Sequence, residues 1–235
     1  MHGIMVPVTP ADWRLCFREA TKVVPMLNRH VQLFLLAGVA VVCLLAWRGC
    51  RDNGWRMTNA ESATGAVACF GDSLVAGVGA ETPEMAYPAQ LEKLLGKPVR
   101  ANGIPGNTTA DGLAWLQANQ DAFAGKGLVI VTLGGNDLMQ RRAWTDTARD
   151  LRAIFAELQR RGAFVVYTGV AVPLFANHTA EQRSVCQESG VYFIPNLLGG
   201  IIADRALKAD EVHPNGLGYA IVADRIAKAL RQVQR

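Results

Sequence analysis

A serine, a histidine with an acid three residues before it, and two glycine-rich turns provide the side chains that acyl transfer needs. Ser73 stands in Cys69-Phe70-Gly71-Asp72-Ser73-Leu74, where an apolar run ends in a turn. A serine hydroxyl is a poor nucleophile until a histidine removes its proton, and that histidine needs an acidic partner to fix its tautomer. Asp210-Glu211-Val212-His213-Pro214 contains both. On a turn, this D-x-x-H spacing brings a carboxylate to one imidazole nitrogen and leaves the other for the serine. Acyl transfer also requires donors aimed at the oxyanion that forms on the attacked carbonyl. Three are candidates: the Ser73 backbone N–H; the N–H of Gly106 in Ile104-Pro105-Gly106-Asn107-Thr108, where glycine permits close approach; and the Asn136 side-chain amide in Gly134-Gly135-Asn136-Asp137. Asp72 and Asp137 are read as loop-shaping, because the constellation is complete without them.

The elements that must position these residues follow from hydrophobic periodicity. Residues 66–70, 99–102, 128–133, 163–168 and 191–194 are short β-rich runs. The run at 128–133 is continuously apolar, as in a parallel strand buried on both faces. Helical spacing marks residues 87–95, 110–119, 144–161, 179–189 and 218–233, with Thr108 or Thr109 as the cap of the second. Strands alternating with helices imply right-handed βαβ units and a parallel sheet covered on both faces. The serine block, the Gly106 turn and the Asn136 turn each come just after a strand. In open α/β sheets the carboxyl ends of the strands are where ligands bind. Residues 172–176 (VPLFA) also follow a strand, and either line an acyl pocket or belong to the core.

Taken together, Gly71-Asp72-Ser73-Leu74, the Gly106 turn, Gly134-Gly135-Asn136-Asp137 and Asp210-x-x-His213-Pro214 resemble the GDSL, or SGNH, hydrolases. The four blocks appear in order over essentially the whole of residues 66–216. Within that family the chain is most similar to the small bacterial acyl-thioesterase/lysophospholipase I and arylesterase group. The resemblance implies Ser73 as nucleophile, His213 as general base and acid, Asp210 as its orienter, and an oxyanion hole of Ser73 N–H, Gly106 N–H and the Asn136 side chain. It implies a three-layer α/β/α sandwich on a five-stranded parallel sheet, flavodoxin-like. One departure is Val75, where many relatives carry a small polar residue. Val75 also stands where G-x-S-x-G would need its second glycine, so the α/β-hydrolase elbow is not met.

Composition bounds the rest. The chain has 235 residues, half of them apolar, enough for one domain with a sizeable core plus extra segments. Residues 1–51 carry six Lys or Arg against Asp12 and Glu19, while the remainder carries 18 of each sign, so the basic surplus lies in the N-terminal arm and a nucleic-acid surface on the domain is not expected. The five cysteines show no CxxC spacing and the four histidines are scattered, so neither metal nor cofactor is expected. Cys69 reads as a small buried hydrophobe, with a Cys69–Cys186 disulfide as the lesser alternative.

Residues 31–47 (VQLFLLAGVAVVCLLAW) are uncharged and, as a helix, span about 26 Å, at the short end of a bilayer crossing. Three readings compete: a retained signal anchor, a lipoprotein signal ending at Cys50, and a buried helix. The anchor fits best, since no A-x-A-like cleavage site follows, and the basic arm before it favours a catalytic domain outside the cytoplasm. Met26 opens a more typical signal layout than Met1. The division expected is therefore a basic arm (1–30), a membrane anchor (31–47), a linker (48–65) and the hydrolase domain (66–235). The function expected is hydrolysis of small-molecule or lipid esters and thioesters. O-deacetylation of envelope carbohydrate and a non-catalytic, membrane-tethered binding module are the alternatives.

Overall fold

The computed structural model describes residues 55–125, 127–170 and 177–234. The arm, the apolar run at 31–47, the lipidation candidate Cys50 and the VPLFA stretch lie outside these residues. Among those described, no helix is long and apolar enough to cross a membrane.

Five strands, β1 (Ala66–Gly71), β2 (Val99–Gly103), β3 (Gly127–Thr132), β4 (Ala163–Thr168) and β5 (Tyr192–Ile194), form one parallel sheet in the order β2-β1-β3-β4-β5. The helices are α1 (Ser73–Ala76), α2 (Tyr87–Leu95), α3 (Thr109–Ala118), α4 (Gly135–Met139), α5 (Trp144–Arg160), α6 (Thr179–Ser189) and α7 (Gly216–Val233). Strand alternation divides the core in two. Val67, Cys69, Leu128, Ile130, Phe164 and Val166 pack with Tyr87, Leu91, Val222, Ile226 and Leu230 of α2 and α7. Their neighbours Ala68, Phe70, Val129, Val131, Val165 and Tyr167 pack with Leu116, Leu151, Ile154, Phe155, Leu158 and Val185 of α3, α5 and α6. The result is the expected three-layer sandwich, and β3 and β4 read as unbroken apolar runs because both their faces are buried. The two edges differ from them: β2 exposes Arg100 and Ala101, and β5 is three residues long, two common ways of blunting an edge.

One expectation is corrected. Residues 55–65 are not a linker but part of the folded unit, which begins at Trp55. Asn59 donates its side-chain amide to the carbonyls of Gln159 and Ala163 at 2.8 and 3.0 Å. Ser62 donates to Gly162 at 2.9 Å, and Ala63 joins the core. Small polar residues here fasten one end of the sheet instead of spacing two segments. Cys69 is the small buried hydrophobe expected: Cys69 and Cys186 are free and lie in clusters on opposite faces of the sheet, so the lesser alternative, a disulfide between them, does not form. Burial pushes the Cys69 thiol up to about 12, which leaves it an inert hydrophobe.

Gly103 shows why one β2 residue is small. A Cβ there would lie 2.2 Å from the Ala76 backbone nitrogen, so β2 and the serine-bearing helix α1 touch backbone to backbone. A side chain at 103 would displace α1.

Candidate active site

Ser73 is the first residue of α1, immediately after β1. The turn is set by Asp72, whose side chain caps the helix by accepting the Leu74 N–H at 3.0 Å. As a first-turn residue, Ser73 has no intrahelical acceptor for its own N–H. Its hydroxyl lies 3.0 Å from His213 Nε2, and His213 Nδ1 lies 2.7 Å from Asp210 Oδ2. The D-x-x-H turn is preformed, because Asp210 Oδ1 accepts the N–H groups of both Val212 and His213 at 2.8 Å. Burial pushes the Asp210 carboxyl up, but hydrogen bonds from the Val212 N–H, the His213 ring and the His213 N–H outweigh it and hold the carboxyl below its usual value. Asp210 thus stays ionised beside the imidazole. Further along, Asn215 caps α7 by accepting the Gly218 N–H at 3.0 Å, which starts that helix at Gly216, two residues before the expected position.

Asn136 sits on α4 after β3, and only 8% of it is exposed. It donates one amide hydrogen to the Asn107 carbonyl at 2.9 Å, which orients the group and leaves its second N–H uncommitted to that bond. Gly106 precedes Asn107 in a turn closed by Asn107 N–H donating to the Ile104 carbonyl at 3.2 Å. Its φ is +85°, and a Cβ there would meet nothing within 4 Å. The backbone angle itself calls for glycine, and no neighbouring protein atom crowds the position. Thr108, not Thr109, caps α3 in a reciprocal box with Asp111, and the Thr109 hydroxyl goes to Asp137 instead.

Ser73, His213 and Asn136 line one cavity together with Asp72, Leu74, Gly135, Met139, Val170, Leu198, Ile202 and Val212. The apolar wall of Met139, Val170, Leu198, Ile202 and Val212 was not singled out from sequence. Leu198 and Ile202 lie in an irregular segment with no periodicity to flag them. That segment is pinned by Arg225 of α7, which donates to the carbonyls of Leu197 and Gly199, both at 2.7 Å. An arginine nine residues inside a helix gives no sequence signal for that contact.

Asp72 has a second property. Burial pushes its carboxyl up to about 7, against the Leu74 N–H and the charge of His213. The folded protein therefore holds a proton that the unfolded chain releases near pH 4, so this residue's contribution to stability falls as pH rises from about 4 to about 7 and is flat above that. Asp72→Asn keeps the cap acceptor and removes the titration. Relative to the parent, the variant should gain stability across that window, by at most about 4 kcal/mol. Thermal unfolding of both proteins between pH 4 and 8 measures it, and parallel pH profiles would refute it.

The model of the GDSL-like lipase/acylhydrolase family matches residues 69–221 of the chain. Esterase TesA of Pseudomonas aeruginosa is 27% identical over 167 residues, covering 66% of this chain and 82% of that protein. Among solved structures, AlinE4, an SGNH-hydrolase family esterase, is 30% identical with a TM-score of 0.55, covering 72% of this chain and 96% of that one. The psychrotrophic esterase EstA from Pseudoalteromonas sp. aligns with a TM-score of 0.62 at 18% identity, covering 71% of this chain and 97% of that one, and shares the fold.

Proposed function

The chain belongs to the GDSL-like lipase/acylhydrolase family and is a serine ester hydrolase; from that premise we propose that it cleaves apolar acyl esters and thioesters with Ser73 as nucleophile, His213 as base and acid, and Asp210 as orienter. The observation that carries this reading is the unbroken chain Asp210 Oδ2, His213 Nδ1, His213 Nε2, Ser73 Oγ, with links of 2.7 and 3.0 Å, opening on an apolar-walled cavity.

In the mechanism that follows, Ser73 Oγ attacks the acyl carbonyl carbon while its proton passes to His213 Nε2. The carbonyl oxygen becomes an oxyanion, met by the Ser73 N–H, the Gly106 N–H and the free Asn136 N–H. Collapse expels the alcohol or thiol, which takes the proton from Nε2. Water then loses a proton to Nε2 and attacks the acyl-enzyme, and the carboxylic acid leaves as Ser73 recovers its hydrogen. Asp210 stays ionised and keeps the proton of neutral His213 on Nδ1.

Methionine, valine, leucine and isoleucine side chains around Ser73 favour an acyl group over a sugar hydroxyl pattern, which would ask for polar partners. The uncharged run at 31–47, flanked by basic residues, supports a tethered enzyme with its catalytic domain outside the cytoplasm, where lysophospholipids and other lipid esters are at hand. A p-nitrophenyl ester series from acetyl to long acyl chains, run beside acyl thioesters, lysophospholipid and acetylated glycans, tests the substrate class. Each methylene that reaches the apolar wall should raise kcat/KM about fourfold, from ~0.8 kcal/mol of burial. Turnover confined to acetylated glycans would replace this reading with envelope O-deacetylation.

A further inference from the structure

Two of the three oxyanion donors, Gly106 and Asn136, follow strands that are not neighbours. The Gly106 turn follows β2, the Asn136 turn follows β3, and β1 with Ser73 lies between them. With strands about 4.8 Å apart, the ends of β2 and β3 are separated by about 10 Å, too far for a direct backbone hydrogen bond between them. β1 ties both strands by backbone hydrogen bonds as far as Ile104 N–H on the Gly71 carbonyl and Asp72 N–H on the Thr132 carbonyl; past those residues, side chains link the two turns directly to each other. Asn136 provides one bridge, to the Asn107 carbonyl. The other is Asp137: its carboxylate accepts the Thr109 N–H at 2.9 Å and the Thr109 hydroxyl at 2.6 Å.

Asp137 is itself immobilised. Thr147 donates to it at 3.2 Å, and Arg142 donates to both Asp137 and the Thr109 hydroxyl, the latter at 2.9 Å. Arg142 holds Asp150 with its other nitrogen at 2.9 Å. Thr109, Asp137, Thr147 and Asp150 are each at most 4% exposed. A buried charge network of this kind is geometrically stiff, because loosening any member leaves an ionised group without a partner.

We infer that Asp137, through Thr109 and Arg142, is a positioning residue that fixes the spacing between the Gly106 and Asn136 donors of the oxyanion hole. The inference rests on the oxyanion role proposed above for Asn136. Asp137 touches no reacting atom; it acts through the residue beside it and through the start of α3. Sequence alone places it next to Asn136 but not against Thr109, which is 28 positions away.

A double-mutant cycle tests this on the whole chain. Asn136→Ala should lower kcat about 100-fold, as loss of one oxyanion donor does, with little change in KM. Asp137→Asn should lower kcat about 30-fold, again with KM for a short ester nearly constant. The double variant should be close to Asn136→Ala alone, not about 3,000-fold down, because misplacing a donor that has been removed has no further cost. Multiplicative losses, or a folded Asp137→Asn with the parent's kcat, would overturn the positioning role. If Asn136→Ala itself keeps full kcat, the oxyanion reading fails first and the positioning role falls with it. Should Asp137→Asn not fold, Thr109→Val removes the hydroxyl bridge alone. It should show the same kcat loss and the same non-additivity with Asn136→Ala, with Thr109→Ser restoring most of the rate; equal rates in the valine and serine variants would count against the inference.

Discussion

Ser73→Ala is expected to lower kcat for ester hydrolysis by about 10⁴- to 10⁶-fold while leaving the fold intact. Among the described residues, the hydroxyl's one side-chain hydrogen bond is to His213 Nε2, and the turn that presents it is held by Asp72 and the α1 backbone. Removing it therefore deletes the attacking atom without disturbing the cap. Some rate above the uncatalysed reaction, about 10³-fold, should persist, since the oxyanion donors remain in place for attack by water. Steady-state assays, thermal unfolding and labelling by a fluorophosphonate together check this. The parent should carry the label on the peptide containing Ser73 and the variant should carry none. The other described serines give no competing nucleophile: Ser62 donates to the Gly162 carbonyl and Ser184 to Glu188, and no imidazole hydrogen-bonds the side chain of either or of Ser189. Activity in the variant above one hundredth of the parent's would overturn the assignment of Ser73.

The parts legible in the sequence are those written in short-range patterns. β3 and β4 announce themselves by unbroken apolar runs, because residues buried on both faces leave no polar positions. α2, α6 and β4 have the boundaries that periodicity and flanking glycines indicate. Ser73, His213 and Asp210 are brought within hydrogen-bond distance because each sits in a local motif whose geometry is nearly self-contained: a capped helix start in one case, a carboxylate-closed turn in the other. What was not legible depends on contacts between distant segments. The Asn59 and Ser62 hydrogen bonds reach about a hundred positions along the chain, so a stretch of small polar residues looked like a linker. Leu198 and Ile202 line the cavity only because Arg225 ties down the loop that carries them. Gly106 was visible as special, yet its reason is a left-handed φ that sequence does not display.

Asp210→Asn is expected to cost nearly as much as losing the nucleophile, about 10³- to 10⁴-fold in kcat, with KM almost unchanged. The argument lies in the two oxygens of Asp210. Oδ1 accepts the N–H groups of Val212 and His213, both at 2.8 Å, and Oδ2 faces His213 Nδ1 at 2.7 Å. Asparagine has one oxygen, and the two backbone donors claim it, because turning the amide round would set N–H₂ against two N–H groups. The –NH₂ end then faces Nδ1. Two donors cannot share that contact, so the ring moves its proton to Nε2 and presents N–H to Ser73, where a base is needed. The side chain of Asp210 is 52% exposed, so the substitution should shift the melting temperature little. This separates a tautomer defect from unfolding. ¹⁵N spectra of His213 should report Nδ1–H in the parent and Nε2–H in the variant, in step with the lost rate. A variant that keeps the Nδ1–H tautomer, or a kcat within tenfold of the parent's, would show that Asp210 does not orient the base.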